Sequence, residues 1–172
     1  MPHKIVDASK QYNSLEEDIP TIKIHTMMGI RRALVYSIAE KENLTVVSCG
    51  TKSELHAGLF CMNNLLGEIL PISHLYKTQV YQLAESLAAH GLLPEGMANK
   101  PSHCGITGEP NDEDVMGMHF EEFDTICYLL ENKGYSPSKT AKTLGKATSQ
   151  IENIKEQIEL HKRMIEFPSV KT

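Results

Sequence analysis

Two neighbouring stretches decide the fold of this chain: Val46–Glu54 (Val-Val-Ser-Cys-Gly-Thr-Lys-Ser-Glu) and Pro71–Val80 (Pro-Ile-Ser-His-Leu-Tyr-Lys-Thr-Gln-Val). The first begins with β-branched residues that favour a buried strand, and it ends with charged residues that begin a helix. The second begins another segment of helical spacing. Open α/β sheets bind ligands where their strands end and their helices begin. The two stretches therefore predict a site for nucleotide chemistry.

The segments around these stretches are predicted from hydrophobic spacing and turn residues. Helices are predicted over 26–40, 53–60, 74–90 and 120–130, and over a helical pair that follows Gly134 and has Gly145 between its members. Short strands are predicted over 3–8, 44–47 and 69–70, with a polar loop over 13–20. This order predicts an α/β, Rossmann-like three-layer fold with a small parallel sheet and a C-terminal helical hairpin.

The length of 172 residues predicts a single domain over 1–172, with a core over 1–132 and the hairpin over 133–172. A parallel sheet needs several strands and cover on both faces, and only two or three strands are predicted here. We therefore expect the chain to be part of a larger sheet or one half of a tight homodimer.

Composition narrows the class of protein. Hydrophobic residues make up 41% of the chain and charged residues 23%, which is typical of a soluble globular protein. There is no apolar run of the roughly 20 residues that cross a bilayer, so no membrane contact is expected. The four cysteines are scattered and form no C-x-x-C pair, which argues against a disulfide scaffold or a structural zinc. We expect a cytoplasmic protein.

Five motifs, in their order and spacing, resemble the ammonia-dependent NAD synthetases. They are Val46–Glu54, Leu75–Val80, Lys100–Ser102, Asn111–Glu113 followed by Gly117, and His161–Arg163 followed by Pro168. The similarity extends from about His25 to Pro168 and covers the C-terminal half or more of that catalytic domain. The resemblance implies a homodimer that makes NAD from nicotinic acid adenine dinucleotide, ATP and ammonia. ATP adenylates the nicotinate carboxylate, ammonia displaces AMP, and Mg²⁺ accompanies ATP.

The resemblance also assigns roles to single residues. It makes Glu54 the magnesium ligand, Lys77, His161 and Lys162 catalytic, Cys49 and Ser102 ATP- or phosphate-binding, and Arg31 and Glu68 substrate-binding. Four of these assignments have a plainer alternative. Glu54 is also the acidic residue that a helix dipole favours in its first turn, and Ser102 also suits a turn after proline. Lys77 could equally be an ordinary exposed lysine, and a histidine on an amphipathic terminal helix, such as His161, is more often a surface residue than a catalytic one.

The chain also departs from the family pattern. The Ser-Gly-Gly-x-Asp-Ser loop, which aims backbone N–H groups at the ATP phosphates, is missing from the sequence. The stretch Asn63–Leu66 replaces a loop that supplies an aspartate, and Arg31 is the one arginine left of a pair. We therefore expect the lone chain to be weakly active or inactive. It is either half of a split enzyme, completed by a partner chain with the phosphate loop, or a shortened, non-catalytic paralogue that binds a nucleotide or a partner.

DNA binding is a further alternative. Thr140–Gly145 with Ile151 and Ile154 has the spacing of a helix-turn-helix on a basic segment. The second helix also carries Glu152, Glu156 and Glu159, which would repel phosphates. Nucleic acid is therefore not the expected partner.

Overall fold

The computed structural model describes residues 3, 5–18, 23–60, 67–94, 96–98, 100–103 and 110–165, with the backbone alone at 15–18 and 23–25. The helices of this described part are α1 (Ser9–Asp18), α2 (Lys23–Glu42), α3 (Lys52–Ala57), α4 (Lys77–Ala89), α5 (Asp112–Met116), α6 (Phe120–Cys127), α7 (Pro137–Leu144) and α8 (Thr148–Ile165). A π-helical turn, Tyr128–Asn132, continues α6. Among the described residues, no helix combines the length and the apolar character needed to span a bilayer.

The chain divides into two compact units. The first comprises residues 1–48 and 60–71, and the second comprises 49–59 and 72–172. The boundary predicted between 132 and 133 lies inside the second unit, where α7 and α8 pack with α3 and the π-helical turn. The division into a core and a separate hairpin stays a prediction.

In the first unit, α1 packs against α2, and the segments near 47 and 69 meet in one isolated parallel bridge, Val47 to Ile69. The Ser48 N–H donates to the Ile69 carbonyl at 2.9 Å. A Cβ at Gly67 would lie 2.6 Å from the Ser48 nitrogen, so glycine permits this close approach. Val47 is 54% exposed, so the expectation of a buried strand over 44–47 is wrong. The described residues contain this bridge and no longer strand, and the parallel sheet stays a prediction.

The N-terminal expectations were also wrong. Residues 3 and 5–8 have no regular structure instead of a strand, and helix α1 occupies most of the predicted polar loop. Asp7 explains the start of α1, because its carboxylate accepts hydrogen bonds from the N–H (2.9 Å) and the hydroxyl (2.6 Å) of Ser9. Such a carboxylate satisfies a donor that the first turn leaves unpaired.

The second unit has the larger described core. It is built from the buried faces of α6 and α8, with contributions from α7 and the start of α4: Tyr76, Phe123, Ile126, Cys127, Ala141, Ile151, Ile154 and Ile158. The helical pair begins as predicted, because the Ser136 hydroxyl accepts from the Lys139 N–H and Pro137 occupies the first helical position. Gly145 ends α7 at φ 66°, a conformation that favours glycine. The predicted C-terminal hairpin is confirmed.

Candidate functional site

The start of α3 holds Glu54 in a fixed position. Its Oε2 accepts hydrogen bonds from the Thr51 N–H and the Thr51 hydroxyl, both at 2.7 Å. The Thr51 hydroxyl accepts in turn from the Glu54 N–H at 3.3 Å. This is a capping box, and it satisfies two donors that would otherwise lack partners. The plainer of the two roles expected for Glu54, that of an acidic helix-start residue, is therefore observed.

The structure brings Glu54 and Lys77 together. Lys77 is the first residue of α4, and its Nζ lies 2.8 Å from Oε1 of Glu54. Both side chains are mostly buried, at 13% exposed for Lys77 and 15% for Glu54, so solvent screens this ion pair less than a surface pair. A carboxylate and an ammonium thus meet where two helices begin.

Glu54 is one carboxylate, and the described residues contain no group of three or more His, Cys, Asp or Glu side chains that could hold a metal ion. Mg²⁺ is commonly bound by one or two carboxylates together with substrate phosphates, so a single glutamate suits it beside ATP. Oε1 would first have to exchange its contact with Lys77, because Oε2 is engaged by Thr51. Glu54 therefore fits as one carboxylate ligand of a Mg²⁺ ion whose other ligands would include phosphate oxygens of ATP.

Behind this pair lies a buried carboxylate that the sequence reasoning missed. Asp124 of α6 is 4% exposed. Its Oδ1 accepts from the Ser53 hydroxyl, and its Oδ2 accepts from the N–H (2.9 Å) and the hydroxyl (2.8 Å) of Thr78. The Ser53 Oγ accepts from the Lys77 N–H at 2.7 Å. Burial raises the pKa of the Asp124 carboxyl, and these hydrogen bonds oppose the rise. The sequence signal that could have revealed Asp124 is an acidic residue next to Phe123 on the apolar face of a predicted helix, where a charge needs buried partners.

A second ionic cluster surrounds Glu131 in the π-helical turn. Its carboxylate pairs with Lys162 of α8 and, at 2.9 Å, with Lys52 of α3. Lys52 also donates to the Tyr76 hydroxyl at 2.9 Å. The His56 Nδ1 lies 3.7 Å from Glu131, and burial lowers the pKa of His56 to about 4. Single π-helical turns often occur at functional sites. The turn here directs one carboxylate toward two other helices.

His161 and Lys162 both connect the end of α8 to the rest of the second unit. The His161 Nδ1 lies 2.8 Å from the backbone carbonyl of His56. Its ring packs over Gly58, where φ is 74° and an added Cβ would overlap the ring. The two C-terminal residues predicted to be catalytic therefore lie beside α3, the helix that carries Glu54.

The remaining candidates lie elsewhere. The Ser102 hydroxyl donates to Asp112, whose N–H donates to the Ser102 carbonyl at 2.9 Å, so Ser102 fixes the segment that leads into α5. The Cys49 thiol is exposed in the second unit. Arg31 on α2 and Glu68 beside the bridge belong to the first unit. Asn63–Leu66 and Pro168 lie outside the described residues.

Comparison with known proteins places this arrangement in a family. Residues 3–166 match the family model of NAD synthase. The NH(3)-dependent NAD(+) synthetase of Hyperthermus butylicus is 39% identical over 134 residues, which cover 77% of this chain and 46% of the relative. The enzyme of the same name from Saccharolobus solfataricus is 30% identical over 155 residues, covering 88% and 54%. The chain thus spans about half the length of these curated relatives.

Among solved structures, the NMN synthetase from Francisella tularensis superimposes with a TM-score of 0.72 over 99% of this chain and 67% of that chain, at 18% identity. This likeness shows a shared fold and supports the predicted α/β class. The resemblance inferred from the five motifs is confirmed by the family match, and the chain belongs to the NAD synthase family.

Proposed function

We propose that this chain carries part of the site at which a ligase uses ATP to amidate nicotinic acid adenine dinucleotide to NAD. Membership of the NAD synthase family supports the reaction. The observation that carries the proposal is the Lys77–Glu54 pair, which joins the starts of α3 and α4 at 2.8 Å and is mostly buried. These are two of the residues to which the motifs assign roles at the ATP.

The chemistry explains why such a pair suits the reaction. ATP and the dinucleotide are both polyphosphate anions, so the site must offset their charge. The Lys77 ammonium is a point charge of the right sign, and it can leave Glu54 for a phosphate oxygen. Glu54 would hold Mg²⁺, which when bound neutralises charge on the phosphate oxygens. In the absence of nucleotide, the pair keeps both charges compensated in a mostly buried place.

His161 and Lys162 supply the second part of the proposed site. The Lys162 ammonium, paired with Glu131, remains 38% exposed and can attract a second phosphate or carboxylate. The contacts of His161 with α3 set the position of this helix end. On the strength of the family resemblance, we assign a catalytic role to these two residues and to Lys77. Ser102 and Cys49 are assigned to ATP or its phosphates, and within the first unit Arg31 and Glu68 are assigned to substrate binding. Ser102 can donate to a phosphate only after it releases Asp112.

We further propose that the 172 residues, tested alone, turn over slowly or not at all. Their sequence contains no Ser-Gly-Gly-x-Asp-Ser loop to aim backbone N–H groups at the ATP phosphates. A single lost electrostatic group can cost about 10²–10³ in rate. A second chain that carries this loop would restore activity if the enzyme is split, whereas a paralogue would retain binding without turnover.

A homodimer is part of the proposal. The first unit has a groove between α1 and α2 that is lined by apolar side chains, among them Ile30, Leu34 and Ile38. Val35 in the same groove is 49% exposed. A second copy of the chain would cover this apolar surface. Val35→Asp should then shift the protein from dimer to monomer in analytical ultracentrifugation, and an unchanged sedimentation coefficient would contradict this interface.

The DNA-binding alternative receives less support from the structure. The buried side chains of α8 are Ile151, Ile154 and Ile158, whereas Glu152, Glu156 and Glu159 lie on its exposed side. Three carboxylates along the exposed side of a helix oppose contact with DNA phosphates. Binding to duplex DNA at several salt concentrations and binding to the dinucleotide, both measured on the same protein, distinguish the two functions. Salt-dependent DNA binding without dinucleotide binding would favour the DNA-binding alternative.

The test of the proposed function combines turnover with binding. The chain is incubated with nicotinic acid adenine dinucleotide, ATP–Mg²⁺ and ammonia, and AMP and NAD are separated by chromatography. We expect no turnover above background, together with chemical-shift changes near Lys77 when ATP–Mg²⁺ is added to ¹⁵N-labelled protein. Lys77→Ala should weaken this binding, and Lys155→Ala, at an exposed position of α8, should not. Robust turnover would overturn the claim of low activity, and binding indifferent to Lys77 would overturn the site.

A further inference from the structure

We propose that Asp124 is a positioning residue that holds Lys77 and Glu54 in the geometry needed to bind a nucleotide polyphosphate. The proposal rests on the proposed function, because it explains how that same site is built. Asp124 itself is 4% exposed and therefore unsuited to touch a ligand. Its effect must pass through the residues to which it is bound.

The contacts of Asp124 define which residues these are. One oxygen binds the hydroxyl of Ser53, the residue before Glu54 on α3. The other binds the N–H and the hydroxyl of Thr78, the residue after Lys77 on α4. One carboxylate on α6 thus connects the first turns of both helices that carry the candidate ligand-binding charges.

Ser53 completes the connection. It is fully buried, and its Oγ accepts the Lys77 N–H at 2.7 Å while its hydroxyl donates to Asp124. The backbone of Lys77 is therefore held by a side chain from α3, and the orientation of that side chain is set by α6. This relay therefore helps to fix the distance between the Lys77 and Glu54 backbones, together with the hydrogen bond from the Lys52 N–H to the Leu75 carbonyl at 2.8 Å.

The charge of Asp124, as well as its shape, contributes to holding the start of α4 in place. A carboxylate at the start of α4 interacts favourably with the helix dipole and with the N–H groups that the first turn leaves unpaired. Burial raises the pKa of Asp124, while the hydrogen bonds from Ser53 and Thr78 and the positive charge of Lys77 oppose this rise. The residues that Asp124 holds at the starts of α3 and α4 therefore also favour its ionised form.

Asp124→Asn is the sharpest perturbation, because it keeps the shape of the side chain and replaces one acceptor oxygen with a donor nitrogen. The amide of asparagine has one acceptor oxygen and one donor nitrogen. If the oxygen faces Thr78, the nitrogen donates to Ser53, whose hydroxyl hydrogen then loses its acceptor. If the oxygen faces Ser53, the nitrogen meets the two donors of Thr78. Either orientation disturbs one of the two connections that fix Lys77.

The experiment measures ATP–Mg²⁺ binding to the full 172-residue chain by ¹⁵N NMR titration, with melting temperatures recorded by circular dichroism. The variants are Lys77→Ala, Asp124→Asn and the two together. Ile151→Val and Ile151→Ala serve as controls, since Ile151 is fully buried in the core but takes no part in the hydrogen bonds of the relay. The control used for comparison is the Ile151 variant whose melting temperature falls as much as that of Asp124→Asn. Its ATP–Mg²⁺ binding shows how far lower stability alone weakens binding.

We expect Asp124→Asn and Lys77→Ala each to raise the Kd by about tenfold, as for the loss of a charged hydrogen bond, and the matched Ile151 control to leave it unchanged. The effects of the two substitutions should be less than additive in the double variant, because Asp124 acts in part through Lys77. If Asp124→Asn has no more effect than the matched control, or if the two effects are additive, the positioning role is refuted. If the wild type does not bind, or Lys77→Ala binds normally, the proposed function itself fails and this inference with it.

Discussion

The buried His56 should make the stability of the second unit depend on pH. Its side chain is 7% exposed, and the charged groups that face it are Glu131 of the π-helical turn, Lys52 of α3, and Lys162 and Glu159 of α8. Burial disfavours the imidazolium and lowers the pKa from the ordinary value of 6.5 to about 4. Glu131 opposes this shift, while the two lysines support it.

The sign and size of the effect follow from proton linkage. At neutral pH His56 is mostly neutral in both the folded and the unfolded chain. As the pH falls from 6.5 toward 4, the unfolded chain binds a proton that the folded chain does not, so the free energy of unfolding decreases. The full shift corresponds to about 3 kcal/mol at 1.36 kcal/mol per pKa unit, and about 2 kcal/mol of this should be lost between about pH 7 and about pH 5.

Urea denaturation of the wild type and of His56→Gln, followed by circular dichroism at a series of pH values, tests this. Other titrating groups are common to both proteins, including the exposed His119, whose pKa is raised by Glu113. The wild type should therefore lose about 2 kcal/mol more than the variant on acidification over this range. Parallel stability curves would refute the reasoning. An imidazole NMR titration of His56 with a midpoint near 6.5 would refute it as well.

Four other substitutions should have separable effects on stability, each measured by urea denaturation. Glu131→Gln leaves two lysine ammonium groups close together and should cost about 1–2 kcal/mol, less at high salt, and a salt-independent loss would contradict the ionic explanation. Gly58→Ala should cost more than Gly145→Ala, because both have positive φ but only the former adds a Cβ that overlaps His161, and equal losses would count against this contact. Ser136→Ala should cost about 1 kcal/mol through the lost N-cap of α7, and an unchanged stability would show that the cap contributes nothing.

Several features were predictable because their signals are local. Ser136, Pro137 and Gly145 mark the hairpin by caps that act within one turn of chain. Thr51 and Glu54 form a capping box three residues apart, which defines the start of α3. The outcome for residues 44–47 could not be predicted from local signals, because a strand forms only where another segment pairs with it. Among the described residues, the single bridge from Val47 to Ile69 is the pairing found at this segment.

The sequence alone determined the family, the helical hairpin and the two charged helix starts, because each depends on residues that are neighbours in the chain or on motif order. The tertiary structure decided which partners those charges have. Ser53 and Asp124 are 71 residues apart, and Lys162 meets Glu131 through the packing of α8 on other helices. Such long-range pairings form only when burial of apolar faces such as that of Ile126 and Ile158 brings distant segments together, and no local pattern specifies them.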